Sequence, residues 1–257
     1  MSNFIQQYWE KQGAQHGSSY WSSWGDSYMI NLEIDLIHSY LKENMSVLDV
    51  GCANGYSTFK QLEKNNFKTV VGVDFANNMI EQAKKTQNDL KIPNNMLSFQ
   101  EGDIRSLNFA DEIFDCTYTT RVLINLATWE EQIQGIKECL RVTKKGGLVI
   151  FSEAFWEPLT QLNGLRSIAG LEPLYEHDFN RYLKKQKIEQ FLQDNHLHYE
   201  VNTFSSLFYL CSRFLRDLAT PKPMGYENPF NEMFYMLEKN YSADQFGVQQ
   251  AYIIHKP

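Results

Sequence analysis

The 257-residue sequence lacks the marks of several large protein classes. It has no Cys-x-x-Cys pair, and its four widely spaced cysteines are typical of reduced thiols in a cytoplasmic protein. It has no apolar run as long as a membrane span, and its first residues lack the basic and apolar regions of a signal peptide. It also has no polybasic block, and its net charge is −7. These absences predict a cytoplasmic protein that acts on neither a membrane nor nucleic acid.

Apolar runs of strand length alternate with helical segments over most of the chain. Strands are predicted at 46–50, 68–74, 96–100, 113–118, 148–152, 196–205 and 249–255. Helices are predicted at 29–43, 57–65, 77–87 (with Asn77 as its cap), 129–142 and 184–195. This alternation predicts an α/β fold, namely a Rossmann-like, doubly wound, seven-stranded sheet that is mostly parallel with its last strand antiparallel.

The pattern divides the chain into three parts. Residues 1–45 form an aromatic-rich arm and a helix, and we expect the arm to consist of short helical pieces and loops. This arm either closes over a ligand as a lid or only packs its rings on the core. Residues 46–153 form the ligand-binding core. Residues 154–257 supply the remaining strands and an acceptor-site cap made of 155–182, a mixed segment, and 207–246, two helical pieces around the turn Pro221-Lys222-Pro223-Met224-Gly225.

The central feature is a turn of small residues after the first strand, Gly51-Cys52-Ala53-Asn54-Gly55. Its spacing differs from the Gly-x-Gly-x-x-Gly of dinucleotide sites, and no Gly-Lys-[Ser/Thr] phosphate loop is present. Asp49, two residues before the turn, suits a ligand that carries an amino group. Asp74 ends the next strand nineteen residues after Gly55, the spacing at which a carboxylate reaches ribose hydroxyls. Together these features predict a nucleoside with an amino-acid tail.

Five segments resemble motifs of one family, the class I S-adenosylmethionine-dependent methyltransferases. Residues 47–55 resemble the family's first motif, and residues 71–79 resemble its second. Gly102-Asp103-Ile104 and Phe114-Asp115 stand in the places of the next two, and residues 140–148 resemble the segment before the fifth strand. The resemblance implies S-adenosyl-L-methionine as the cofactor and methyl transfer as the activity.

The resemblance also implies roles for single residues. Asp49 and the turn residues Gly51, Cys52, Ala53, Asn54 and Gly55 would lie along the methionine part. Asp74 would bind the ribose, and Phe75 and Met79 would flank the adenine. Asp103, next to Gly102, would accept from the adenine amino group, and Ile104 would pack on the ring. Thr119 and Arg121 would lie by the methionine end, facing the acceptor. If the arm is a lid, Tyr20 would lie near the sulfonium end. Ala53 departs from the family, which commonly has glycine there.

Candidate catalytic residues follow from position and residue type. Arg121, Glu153 and His177 are the main candidates, and His16 joins Glu153 and His177 as a possible general base if the arm folds over. Glu153 could instead hydrogen-bond backbone, and His177 could be an ordinary loop residue. His196 and His198 are interpreted as structural, so no metal site is predicted. Inward-pointing arginines would bind an anionic acceptor, and the candidates are Arg121, Arg166, Arg181, Arg213 and Arg216.

The sequence therefore predicts a methyltransferase acting on a small polar acceptor. We expect O-methylation of a sugar or a phosphorylated intermediate in bacterial surface-carbohydrate biosynthesis. Three alternatives stay open: N-methylation of a small amine, a catalytically silent cofactor-binding subunit, and an NAD-linked oxidoreductase. The acceptor atom and the oligomeric state are not predicted.

Overall fold

A computed structural model describes residues 3–220 and 224–257. The strands are β1 (Ser46–Val50), β2 (Thr69–Asp74), β3 (Leu97–Glu101), β4 (Phe114–Thr120), β5 (Thr143–Ala154), β6 (His198–Asn202) and β7 (Gln249–His255). The helices are α1 (Asn3–His16), α2 (Ser27–Tyr40), α3 (Tyr56–Leu62), α4 (Asn77–Asp89), α5 (Trp129–Val142), α6 (Trp156–Ile168), α7 (Lys185–Asp194), α8 (Ser206–Leu210), α9 (Arg216–Ala219) and α10 (Pro229–Glu238).

The strands form one seven-stranded sheet in the order β3-β2-β1-β4-β5-β7-β6. The pairs among β1 to β5 are parallel, and β7 runs antiparallel to both β5 and β6. The predicted fold class is therefore confirmed. The strand order reverses between β1 and β4, and in sheets of this kind ligands bind beyond the carboxyl ends of the strands at that point.

Helices cover both faces of the sheet because each central strand is apolar on both sides. Leu48 and Val50 pack on one face against α5 and α7. Val47 packs on the other face against α2, α3 and α4. A third cluster joins α2 to α6, α8 and α10, so the cap has its own apolar contacts.

The arm differs in part from the prediction. Tyr20–Ser22 is a short helical piece of the predicted kind, whereas residues 3–16 form one continuous helix. Ile5, Trp9 and Gly13 recur every four residues and so lie along one side of that helix. Ile5 is buried, and Gly13 lies so close to α4 that a Cβ there would come 3.1 Å from the Met79 nitrogen. Because the arm is rich in aromatic residues, this four-residue helical spacing was not evident in its sequence.

Two strands are longer than predicted, and the added residues include predicted site residues. β4 continues through Thr119 and Thr120, which pair with Phe151 and Ser152 of β5. β5 covers residues 143–154, so Glu153 lies within the strand and pairs with Gln250 instead of following the strand's end. The prediction for 155–182 was also incomplete, since residues 156–168 form α6.

The second half of the cap contains the predicted pair of helical pieces. The first runs through α8, a π-helical turn (Cys211–Leu215) and α9, and the second is α10. Residues 221–223 of the predicted turn lie outside the described residues. Within residues 3–220 and 224–257, none of the helices combines the length and the apolar character needed to cross a membrane.

Candidate active site

The turn between β1 and α3 is held by backbone hydrogen bonds to the neighbouring strand. The Gly51 and Cys52 amides both donate to the Val73 carbonyl, at 2.6 and 3.0 Å. Gly51 has φ +79°, and a Cβ there would overlap the Val122 side chain. Gly51 is therefore required both by its backbone conformation and by the close approach of the loop after β4.

Asp74 at the end of β2 fixes the shape of this turn. One carboxylate oxygen accepts from the Ala53 amide and the other from the Ala76 amide, each at 2.9 Å. Burial raises the pKa of the Asp74 carboxyl to about 6. Because each oxygen has further lone pairs, the same carboxylate can also accept from the hydroxyls of a ligand.

Asp49 lies beneath the turn and is 1% exposed. Its Oδ2 accepts from the Thr58 hydroxyl at 2.6 Å and from the Tyr118 hydroxyl at 2.8 Å. Burial raises the pKa of this carboxyl to about 7. A cationic amino group beside Asp49 would favour the ionised form of this carboxyl. A ligand with an amino-acid tail carries such a group.

A cavity opens beside the turn, and we call it the turn cavity. It is lined by Trp9, Ser23, Asp49, Gly51, Cys52, Ala53, Asn54, Tyr56, Ser57, Asp74, Phe75, Met79, Thr120, Arg121, Val122 and Asn125. The structure thus brings together most of the predicted cofactor residues from β1, β2 and α4.

The arm covers this cavity through polar contacts from two of its segments. The Glu10 carboxylate accepts from the Asn77 and Asn78 amides at the start of α4, at 2.7 and 2.8 Å. The Asn54 side chain donates to the carbonyls of Gly17 and Ser19, at 2.7 and 2.8 Å. The N-cap of α4 is Ala76 rather than the predicted Asn77, and the carboxylate that satisfies the free amides comes from the arm.

A larger cavity of about 780 Å³ lies on the cap side, and we call it the cap cavity. It shares Trp9, Ser23, Arg121 and Asn125 with the turn cavity, so these four residues form the junction between the two spaces. Aromatic rings dominate its walls, namely Tyr8, Trp9, Trp21, Trp24, Tyr175, Phe179, Tyr182, Tyr209 and Tyr226. Its ionisable lining residues are His16, Arg121, Glu176, His177, Asp178 and Arg213, besides the tyrosines.

Arg121 follows β4 and has φ +57°, an unusual backbone conformation for a residue with a Cβ. Its Nη1 donates to the buried carboxylate of Glu33, and its guanidinium lies 5.1 Å from the Trp24 ring centroid. Glu33 also accepts from Ser152 and Gln249, at 2.5 and 2.9 Å. The side chain of Arg121 is therefore held in place at the junction.

Glu153 performs a different task from the predicted general base. It is fully buried and lines neither cavity. Its carboxylate accepts from the Thr119 hydroxyl at 2.8 Å and from the amides of residues 122, 123 and 124 at 3.0 to 3.3 Å. Burial raises its pKa to about 7. Glu153 thus anchors the loop that presents Arg121, and the backbone-binding alternative describes it better.

Several predicted cofactor residues do not line the turn cavity. Asp103 instead forms an ion pair with Arg105 at 2.5 Å, and Ile104 lies in the core. Thr119 points to Glu153, whereas Thr120 lines the cavity. The Tyr20 hydroxyl donates to Glu227 of the cap. Gly55 begins α3 as its N-cap, and the Gly102 amide donates to the Asp74 carbonyl at 2.9 Å.

The other two predicted general bases, His177 and His16, line the cap cavity, and His177 packs on the Phe179 ring with centroids 4.5 Å apart. Sequence reasoning missed Trp9, Ser23 and Asn125 of the junction. The four-residue spacing of α1 could have identified Trp9. No sequence signal identified Asn125. Its Oδ1 accepts from the Trp9 indole at 3.3 Å, although the two residues are far apart in the sequence.

Comparisons with known proteins identify the family of this chain. A family model described as a methyltransferase domain matches residues 41–196. The chain is 32% identical over 120 residues to the malonyl-[acyl-carrier protein] O-methyltransferase of Buchnera aphidicola, covering 47% of this chain and 44% of that protein. It is 31% identical over 131 residues to the demethylmenaquinone methyltransferase of Beutenbergia cavernae, covering 50% of each. The matched region thus spans about half the length of these curated relatives.

Among solved structures, a chain of the complex between the Haloferax volcanii Trm112 methyltransferase activator and a methyltransferase is similar in fold. Its TM-score is 0.65 with 15% identity, and the match covers 97% of each chain. The fold is that of the class I S-adenosylmethionine-dependent methyltransferases. The chain belongs to the methyltransferase domain family, as its sequence motifs predict.

The cofactor of this family is S-adenosylmethionine, and the turn cavity fits it. The cavity combines apolar surfaces at Phe75 and Met79 with carboxylates at Asp74 and Asp49. Gly51, whose φ is +79°, brings bare backbone up to this space. A cofactor with a nucleoside at one end and an amino acid at the other has partners for both ends here.

Proposed function

We propose that this chain transfers the methyl group of S-adenosylmethionine to a small organic acceptor bound in the cap cavity. One observation carries this proposal: the turn cavity and the cap cavity meet at a junction of four shared residues. A cofactor in the first and an acceptor in the second would bring methyl carbon and nucleophile together. The arm would exclude water from both, and methyl transfer gains much of its rate from such positioning and exclusion.

The proposed roles follow the positions of the residues. When bound, S-adenosylmethionine supplies an electrophilic methyl group on a sulfonium. Asp74 would accept from the ribose hydroxyls, and Phe75 and Met79 would flank the adenine. Asp49 would lie toward the amino end, and Arg121 would orient the acceptor. Adenine binding by Asp103 stays a prediction that requires its carboxylate to leave Arg105.

Among acceptors, an oxygen nucleophile is the class we favour, in agreement with the sequence prediction. A relative of this chain is named as an O-methyltransferase, which supports the same class. The aromatic walls of the cap cavity could also pack on a sugar ring, although a role in surface carbohydrate remains a prediction from the sequence. The four cysteines are free and buried, which supports the predicted cytoplasmic location.

The N-methylation alternative has one supporting observation, since Glu176 and Asp178 line the cap cavity. Inward arginines count against it, and Arg121 and Arg213 line the same cavity. The other two alternatives differ in what they bind or turn over. A silent subunit would bind S-adenosylhomocysteine and methylate no acceptor, and an oxidoreductase would bind NAD.

Titration calorimetry with S-adenosylhomocysteine and with NAD tests the proposal. We expect binding of the first and none of the second. Asp74→Ala should weaken S-adenosylhomocysteine binding by about 1–3 kcal/mol, because ribose hydroxyls lose a charged acceptor. Asp111→Ala is the matched control, since Asp111 is an exposed carboxylate that pairs with Arg141 outside both cavities. Equal affinities for the two variants would remove Asp74 from the site.

A further inference from the structure

The junction between the two cavities contains no carboxylate and no imidazole. Its residues are Trp9, Ser23, Arg121 and Asn125. Asn125 is engaged, since its amide group donates to the Arg121 carbonyl at 2.6 Å and its oxygen accepts from Trp9. The Ser23 hydroxyl donates to the Tyr20 carbonyl at 3.2 Å. An alcohol or an ammonium group must lose a proton during methyl transfer, and these residues offer no base for it.

Arg121 instead provides positive charge at the junction. Its Nη1 is used by Glu33, whereas its Nε and Nη2 make no hydrogen bond to any described residue. The buried carboxylate behind it fixes the guanidinium and leaves these donors for a ligand. Planar donors of this kind suit an oxygen anion, which can accept two N–H bonds from one arginine.

Arg213 presents a second guanidinium to the cap cavity. Its side chain is 10% exposed and lies on the π-helical turn, a type of distortion that is frequent at functional sites. Nη2 donates to the buried Asp26 and Nη1 to Ser212, whereas Nε has no hydrogen-bond partner in the described part of the chain. The guanidinium lies 4.9 Å from the Tyr226 ring centroid. Like Arg121, it is paired with a buried carboxylate and lines the cap cavity.

From these observations, and resting on the proposed function, we infer that the acceptor group is a carboxylate bound by Arg121 and Arg213. A carboxylate is already ionised at neutral pH, so the absence of a base at the junction does not impede its reaction. The carboxylate oxygen attacks the methyl carbon as the carbon–sulfur bond breaks, and the electron pair of that bond remains on sulfur. No proton moves, and the product is a methyl ester.

The other charges of the cap cavity limit the acceptor further. Glu176 and Asp178 lie on the segment after α6, and His16 and His177 line this cavity but not the junction. The carboxylates of Glu176 and Asp178 would repel a second negative charge on the acceptor. We therefore expect an acceptor with one anionic group, at its arginine end, and an aromatic or apolar body along the ring-lined walls.

The test measures binding to the full chain saturated with S-adenosylhomocysteine. Phenylpropionate is compared with the alcohol and the amine of the same carbon skeleton by titration calorimetry. We expect the carboxylate to bind about tenfold more tightly than either analogue. In the double variant Arg213→Gln with Asp26→Asn this preference should fall at least about fivefold, because the charge-assisted hydrogen bonds are lost. Replacing both partners avoids an unpaired buried charge, and asparagine at position 26 can still cap α2.

The control is Arg166→Gln with Asp217→Asn, another arginine–carboxylate pair of the cap, with Arg166 buried and outside the cap cavity. This control should keep the preference for the carboxylate. The inference is overturned if the alcohol or amine binds as tightly as the carboxylate, if no probe binds, or if the Arg213 variant retains the preference. If S-adenosylhomocysteine itself fails to bind, the proposed function fails as well, so the two failures are distinguishable.

Discussion

At the scale of single residues, Ala53 stands where the family commonly has glycine, and the structure shows the cost. Ala53 has φ +48°, a left-handed conformation that disfavours a Cβ by about 1 kcal/mol. Its amide is nevertheless held by Asp74. The methyl group is accommodated, and the turn keeps its shape because the hydrogen bond fixes a backbone that alanine alone would avoid.

We predict that Ala53→Gly raises the free energy of unfolding by about 0.5 kcal/mol, measured by urea denaturation. Relief of the left-handed strain should exceed the extra freedom that glycine gives the unfolded chain. Ala83→Gly, inside α4, is the control and should lower the free energy of unfolding by about 1 kcal/mol. A loss of stability in both variants would contradict the prediction that the backbone at position 53 is strained.

Arg121 is a catalytic candidate by its position, and its ion pair with the buried Glu33 gives it a role in stability as well. Arg121→Ala should lower the free energy of unfolding by about 3 kcal/mol, because it leaves a buried carboxylate unpaired. Adding Glu33→Gln should restore at least half of the loss in urea denaturation. If the single variant is as stable as the natural chain, the ion pair contributes nothing to the fold.

At the scale of elements, contacts between α1 and α4 hold the arm beside the turn cavity. The amides that begin α4 point to the arm, and Glu10 of α1 satisfies two of them. Negative charge at a helix N-terminus is favourable because the amides there carry partial positive charge. Phe75 and Met79, which line the turn cavity, lie on either side of this contact, so docking of the arm and binding of the cofactor are expected to be coupled.

We predict that Glu10→Ala weakens docking of the arm and speeds dissociation of S-adenosylhomocysteine about fivefold, measured by stopped-flow fluorescence. This factor corresponds to the loss of about 1 kcal/mol from the contact between Glu10 and the start of α4. Gln15→Ala, on the exposed side of α1, should leave the rate unchanged. If the two variants behave alike, Glu10 does not hold the arm over the cavity.

At the scale of the whole molecule, several buried carboxyls share one electrostatic property. Burial raises the pKa of Asp49, Glu153 and Glu238 to about 7 and that of Asp74 to about 6. Between about pH 5 and pH 7 these groups bind protons more strongly in the folded chain than in the unfolded chain. The folded state therefore holds more protons in this window, and its stability decreases as pH rises through it.

We predict that the free energy of unfolding of the ligand-free protein falls by several kcal/mol from pH 5 to pH 7.5 in urea titrations. Glu153→Gln should reduce this change by about 2 kcal/mol, because one of the responsible protons is removed. Glu138→Gln is the control, since a hydrogen bond from Arg141 lowers the pKa of Glu138. That variant should keep the full pH dependence, and a stability that rises over this range would contradict the shared shift.

The sequence by itself determined the sheet, the turn and the cofactor. Those features depend on local signals, since apolar runs define β1 to β5 and the spacing of Gly51, Gly55 and Asp74 lies within one β-α-β unit. Such signals are readable because neighbouring residues decide them. Continuous apolar strands followed by charged residues were sufficient to place Asp49, Asp74 and Arg121 at one edge of the sheet.

Only the tertiary structure decided what each charged side chain does. Glu153 and Asp103 are carboxylates like those of the site. Glu153 nevertheless accepts from a loop amide, and Asp103 pairs with Arg105. The partners of Arg121 and Arg213 are Glu33 and Asp26, far away in sequence. A charged side chain stabilises the fold or binds a ligand according to the partner that tertiary packing brings within hydrogen-bond distance. No local sequence pattern indicates that partner.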